Sequence, residues 1–186
     1  MGCTPEFLPG YRPITDSNAL SSLASEWGVD SLQFSSDNPA NDLLRNCADG
    51  NIKFLHIAGE DPVHSFYKGS AMKNALQTVP FLVVQDVYMT ETAKLADIIL
   101  PTTTYTEKEG SFTNMTRHVQ KVTPATSPQN QSRTDHDIFV QLAEVFGNKL
   151  KNSSVAEVQD EISKTVPIYK GTLPGTKSRQ WSPEGF

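Results

Sequence analysis

Residues 81–120 read FLVVQDVYMTETAKLADIILPTTTYTEKEGSFTNMTRHVQ and decide the fold. Phe81 to Val84 is an unbroken apolar, β-branched run, the composition of a strand buried on both faces, and it stops at Gln85 and Asp86. Thr90, Glu91 and Thr92 then open a stretch of good helix formers, Ala93 to Asp97, with a hydroxyl available as a cap and an acid in the first turn. Ile98 to Leu100 is a second short apolar run, closed by Pro101 because proline cannot donate to a central ladder. Two strands joined through a helix predict parallel pairing with a right-handed crossover.

Working outward, residues 52–58 (IKFLHIA) supply a third apolar strand that breaks at Gly59-Glu60-Asp61-Pro62. Open α/β sheets bind ligands beyond the carboxyl ends of their strands, where loop amides and helix starts converge. Glycine at 59 lets the backbone approach a ligand, and Glu60 and Asp61 can accept hydrogen bonds from amino or hydroxyl groups. Read locally, Asp61 caps a helix beginning near Pro62, and Thr90 caps the next one. Glu107, Lys108, Glu109, Gly110, Ser111, Thr113, Asn114 and Arg117 read locally as a charged, solvated hairpin.

Taken together, AGEDP (58–62), residues 81–101 and EKEGSFTNMTRHVQ (107–120) resemble the molybdopterin oxidoreductase superfamily. The resemblance is greatest to the formate dehydrogenase large (alpha) subunit and the related large iron–sulfur subunit of respiratory complex I, NADH-quinone oxidoreductase. It extends to GCTPEFLPGY (2–11), to Trp27-Gly28, to EISKTVPIYKG (161–171) and to Gln180-Trp181. It implies a cofactor-holding domain whose ligand is a molybdopterin guanine dinucleotide. Gly59, Glu60, Asp61, Gln85, Asp86, Thr90, Glu91 and Thr92 would lie against that nucleotide, with an acid pairing to the guanine edge. Gly110, Thr113, Asn114 and Arg117 would line the cofactor cleft. Carboxylates are poor phosphate partners, so the pyrophosphate would have to meet backbone amides and hydroxyls. The chain has Ser111 where relatives more often have threonine, and His118 where a second arginine is frequent, which weakens any argument from paired guanidiniums.

Relatives of the dehydrogenase type also carry a cysteine cluster for an iron–sulfur centre and a residue that ligates the metal. Neither can be placed here, because Cys3 and Cys47 are the only cysteines and lack cluster spacing. The chain is therefore expected to be one excised domain of a larger subunit, with any iron–sulfur cluster in a missing N-terminal region and no cofactor retained by the isolated fragment. The overall reaction of a formate dehydrogenase parent would be oxidation of formate to carbon dioxide, with electrons passed to iron–sulfur centres. This domain alone is not expected to catalyse it. The alternative is a structural, cofactor-free module of the complex I subunit, which would show bulky side chains filling the space over Gly59 and Gly110. An unrelated dinucleotide binder is disfavoured, since no G-x-G-x-x-G opens a helix after any strand.

The 186 residues, 37% hydrophobic and 20% charged, suffice for one core. A net charge of −5 argues against nucleic acid or an anionic membrane as partner. No apolar run approaches the roughly 18 residues that span a bilayer, so direct membrane insertion is not expected. The expected partners are the missing domains of the same subunit and other electron-transfer subunits. Two cysteines without a paired framework fit a reducing cytoplasm, and a parent that is part of a complex could sit at the cytoplasmic membrane surface. No two of His56, His64, His118 and His136 share metal-ligand spacing, and no glycine-flanked nucleophile elbow appears.

The expected architecture is a three-layer α/β domain with a mainly parallel, Rossmann-like sheet and an irregular N-terminal arm. Residues 1–50 form the arm and short helices, 51–150 the core, and 151–186 a C-terminal helix and tail of a single domain. Helices are predicted over residues 20–27, 41–48, 69–78, 135–146 and 154–166 from apolar spacing and end signals.

Overall fold

A computed structural model describes residues 7–32, 42–148, 150 and 154–171, so Cys3, Gln180 and Trp181 lie outside the described residues. The chain divides into two compact units. One comprises Asp37–Lys108 and Pro124–Asn148, and the other Met1–Ser36, Glu109–Thr123 and Lys149–Phe186. This partition does not follow the chain sequentially, because residues 109–123 group with the two ends.

The first unit is built on the three apolar runs. Strands β3 (Leu55–Ala58), β4 (Leu82–Asp86) and β5 (Ile98–Pro101) form a parallel sheet in the order β3-β4-β5. Register pairs Ala58 with Gln85 and Gln85 with Leu100, which brings the polar ends of all three strands to one edge. Central β4 is buried from Leu82 to Gln85, as its apolar run requires. Side chains alternate along it. Leu82 and Val84 join Ile57 in a core with Cys47 of α2 (Leu43–Ala48) and Met72, Ala75 and Leu76 of α4 (Gly69–Leu76). Each buried leucine or methionine here contributes on the order of 1.5–3 kcal/mol. On the other face, His56 meets Phe139 of α5 (Asp135–Val145) at 5.8 Å between ring centroids. Helices therefore cover both faces of the sheet.

Helix α5 starts as its sequence demands, with Thr134 Oγ1 accepting from Asp137 N at 3.0 Å and acids in the first turn. Helix α3 (Pro62–Ser65) places Pro62 at its first turn. Asp61 precedes it but makes no side-chain cap bond, contrary to the local reading. The helix expected after Thr92 is also corrected: it is one 3₁₀ turn, Ala93–Leu95. Ala96 is already extended, and Asp97 pairs with Leu82 through its amide (2.9 Å) and its carboxylate (2.7 Å). The chain thus re-enters the sheet before a second turn can form, and parallel pairing survives with a very short crossover.

In the second unit, β1 (Phe7–Leu8) and β2 (Arg12–Pro13) pair antiparallel, so the arm expected to be irregular contains a small hairpin. Helix α1 (Ser17–Trp27) is capped by Asp16 and ended by Gly28 in the left-handed region. Strands β6 (Gly110–Thr113) and β7 (Val119–Val122) form an antiparallel hairpin, and α6 (Val155–Thr165) opens with a Ser154–Glu157 capping box. Trp27 Nε1 donates to Glu161 Oε1 at 2.8 Å, and Arg12 donates to the Thr165 carbonyl at 2.6 Å. Among the described residues, no helix is long and apolar enough to cross a membrane.

Candidate cofactor site at the carboxyl edge of the sheet

Eight of the twelve residues singled out by sequence lie in the first unit: Gln85 and Asp86 end β4, and the other six lie in the turns that follow β3 and β4. Gly59 has a positive φ of 66° and donates its amide to the Gln85 carbonyl at 2.8 Å, closing the two strand ends together. Nothing lies within 4 Å of where a Cβ would sit on Gly59, so the space above it is open. Glu60 is exposed and accepts from the Ser65 hydroxyl.

Asp61 turns inward. Its Oδ1 accepts from the Thr92 hydroxyl and, at 3.2 Å, from the Thr92 amide, while Oδ2 meets His64 Nδ1 at 2.7 Å. Burial pushes this carboxyl up, but the Thr92 and His64 contacts outweigh it and leave it below the ordinary aspartate value. Asp86 accepts from the Tyr88 amide at 3.0 Å, a local turn. Thr90 Oγ1 caps the 3₁₀ turn by accepting from Ala93 N at 3.0 Å, as the sequence predicts. Glu91 is paired with Lys94, whose contact holds its carboxyl down, and lies 3.8 Å from Lys73.

Gln85 is fully buried, and the structure surrounds it with residues that sequence reading did not single out. Its Nε2 donates to Asp135 Oδ1 at 2.7 Å, Thr102 Oγ1 donates to the same oxygen at 2.8 Å, and Lys108 Nζ donates to Asp135 Oδ2 at 2.7 Å. Burial raises the Asp135 carboxyl, and the bonds from Lys108, Gln85 and Thr102 bring it below the usual value. By sequence alone Lys108 is part of a charged hairpin and Asp135 the first residue of a helix. Asp135 stands at the start of α5 and Lys108 two residues before Gly110 of the next strand, but no short-range pattern links residues this far apart. The Gln85 Oε1 is buried without a hydrogen-bond partner, as are Thr103 Oγ1, His56 Nε2 and His136 Nε2. A buried carbonyl left in that state costs roughly 1–3 kcal/mol, which is why such atoms mark places where another group belongs.

The other four residues belong to the hairpin of the second unit. Asn114 Oδ1 accepts from Thr116 N, Thr116 Oγ1 and His118 N at 2.8–2.9 Å and so builds the turn itself. Arg117 adopts a positive φ of 67° and donates its amide to the Asn114 carbonyl. Thr113 Oγ1 meets the Tyr169 hydroxyl at 2.9 Å, and the space where a Cβ would sit on Gly110 is open. The hairpin expected from local reading is therefore present.

A cavity of about 640 Å³ between β5 and α5, lined by Leu100, Arg133, Ile138 and Leu142, includes none of the twelve. Among the described residues, no group of three or more His, Cys, Asp or Glu is placed to hold a metal ion.

Comparison with known proteins bears on the family and the fold. Residues 9–145 match the family model described as molybdopterin oxidoreductase. The F420-dependent formate dehydrogenase subunit alpha of Methanocaldococcus jannaschii is 38% identical over 92% of this chain and 25% of its own length. Formate dehydrogenase H of Escherichia coli is 33% identical over 92% of this chain and 24% of its own. The chain thus spans about a quarter of the length of these curated relatives. Acetylene hydratase from Pelobacter acetylenicus superposes with a TM-score of 0.60 at 19% identity, covering 80% of this chain and 22% of that one, which is a likeness of fold. An α/β architecture with a parallel sheet, three polar strand ends at one edge and a family model spanning most of the sequence lead to one conclusion: the chain belongs to the molybdopterin oxidoreductase family.

Proposed function

We propose that residues 1–186 act as one cofactor-holding domain of a molybdopterin-dependent oxidoreductase of the formate dehydrogenase type. In this reading the domain takes the guanine dinucleotide form of the cofactor, with the nucleotide end at the carboxyl edge of β3, β4 and β5. The observation that carries it is Gln85: a wholly buried amide whose carbonyl has no partner, and whose Nε2 is tied to Asp135, which in turn binds Lys108. An unpaired acceptor suits an amino or imino N–H, and a guanine edge offers both. Open space over Gly59 and Gly110 also supports a ligand, since a structural module would have filled it with side chains.

The residues divide the work. The amides around Gly59 and the hydroxyl of Thr90 suit phosphate oxygens, whereas Glu60, Asp86 and Glu91 suit ribose hydroxyls or base N–H groups. Asp61 and Thr92 belong to the same pair of turns. In the second unit, Gly110, Thr113, Asn114 and Arg117 supply a glycine that permits close approach and side-chain donors. When bound, the cofactor supplies the metal-centred two-electron chemistry; this domain orients it and excludes water from its nucleotide end.

For the parent protein we propose formate oxidation to carbon dioxide, with electrons leaving through iron–sulfur centres held elsewhere and through further subunits. The relatives' designation as subunit alpha supports the existence of such partners. We place the domain in the cytoplasm, a compartment in which a buried reduced thiol such as Cys47 is stable.

Calorimetric titration of the chain with GMP and GDP, against AMP and ADP, tests the reading. Guanine-selective binding that is lost in Gln85→Leu supports it. Absence of saturable guanine binding at millimolar ligand overturns it for this chain.

A further inference from the structure

We propose that Asp61 and Thr92 form a latch that positions the two cofactor-facing turns, and that neither side chain touches the ligand. The inference rests on the cofactor-holding reading and narrows it, separating residues that hold the turns from residues left to bind.

The turns after β3 and β4 are far apart in sequence, and one backbone bond joins their starts, Gly59 N to the Gln85 carbonyl at 2.8 Å. Everything beyond that bond depends on side chains. Thr92 is fully buried, and its single hydroxyl does two things at once: it donates to Asp61 Oδ1 and accepts from Val63 N at 3.2 Å. Its amide also donates to Asp61 Oδ1 at 3.2 Å. The hydroxyl proton is thus committed to the carboxylate, and its lone pair to the first turn of α3.

Asp61 is equally committed. Both available directions of Oδ1 go to Thr92, Oδ2 faces His64, and the Asp61 carbonyl accepts from the His64 and Ser65 amides at 2.9 Å each. The Asp61 side chain is only 20% exposed. The next peptide group, which carries the Val63 carbonyl, is closely packed as well. A Cβ on Gly69 would lie 2.3 Å from the Val63 carbonyl oxygen, so only glycine lets α4 start this close to α3. Threonine at 92, itself held by aspartate at 61, and glycine at 69 thus meet the two successive peptide groups that flank the Val63 Cα.

The functional consequence is mechanical. Gly59 and Glu60 lie one side of Asp61, and Thr90 and Glu91 lie just before Thr92. With the latch closed these groups keep a fixed spacing, so the ligand meets preformed turns and does not have to order them, which favours affinity. Asp61 and Thr92 are positioning residues acting through the turns they join.

The test uses the full 186-residue chain and four variants: Thr92→Val, Thr92→Ser, Asp61→Ala and the double variant Thr92→Val with Asp61→Ala. Amide hydrogen exchange is read at Val63 without nucleotide, and GMP affinity is read at a temperature where every variant is folded. The latch predicts faster Val63 exchange in Thr92→Val but not in Thr92→Ser. It also predicts GMP affinity lower by about tenfold in each single loss variant and no lower in the double one, because coupled neighbours are non-additive. Asp61→Asn, which keeps an acceptor at Oδ1, replaces Asp61→Ala should the latter not fold, and retains affinity within about twofold.

Unchanged Val63 exchange in Thr92→Val overturns the latch whatever the ligand result. Additive affinity losses overturn the positioning role and make Asp61 a direct ligand. Should the wild-type chain bind no GMP, the failure belongs to the cofactor reading, and Val63 exchange still decides the latch.

Discussion

Two carboxylates at the same edge of the sheet are built alike and end differently. Asp61 is paired with the buried hydroxyl of Thr92, and the polar atoms of both side chains are satisfied. Asp135 is paired with the buried amide of Gln85, and there the carbonyl half of the amide has no partner although Lys108 and Thr102 complete the carboxylate. The difference teaches how to tell scaffold from site in a region rich in polar residues. A satisfied buried network holds its own structure together, whereas an unsatisfied buried atom at the end of a parallel strand is capacity left for something else.

The largest expected effect on stability comes from breaking the satisfied pair. Asp61→Ala strands the Thr92 hydroxyl and amide and should cost about 1–3 kcal/mol in urea unfolding. An unfolding midpoint equal to wild type would contradict the contrast. Gln85→Leu probes the other pair. It removes an acceptor that had no partner and leaves Asp135 with two donors, so stability should move by less than about 1 kcal/mol while guanine nucleotide binding is lost.

The pH dependence sharpens the comparison further. Both carboxyls sit below their ordinary values in the folded state, so each contributes stability that is fully present above the unfolded aspartate value and disappears as pH falls through the depressed one. Lys108→Met removes the charged donor from Asp135 only. Unfolding curves taken from about pH 6 down to about pH 2 should therefore show lower stability for Lys108→Met at pH 6 and a smaller loss of it on acidification than in wild type. An identical acid limb would show that Lys108 does not hold the carboxyl down. The smallest effect is expected from Glu91→Ala. Its partners Lys94 and Lys73 are exposed, so the unfolding midpoint should not change, and added salt should make no difference.

Much of this was legible in order of residues. The run Phe81–Val84, its stop at Gln85-Asp86 and the break at Gly59 located the carboxyl edge, because buried strands and turns have strong local signatures. Helices α5 and α6 began where Thr134 and Ser154 stand ready to cap them. Other features were misread for physical reasons. Ala93 to Asp97 has helical composition, yet strand pairing of Asp97 with Leu82 leaves space for a single 3₁₀ turn. Asp61 has the sequence position of a helix cap, but Thr92 offers its carboxylate two donors from a different turn.

The sequence by itself determined the strand ends, the Thr90 cap and the family, since each depends on residues within a few positions of one another or on motifs in a fixed order. Tertiary structure alone decided which polar groups satisfy each other. Asp61 and Thr92 are 31 positions apart, and Gln85 and Asp135 are 50 apart. Hydrogen bonds act over about 3 Å, so whether two such groups meet is set by how strands and helices stack, which no local pattern encodes.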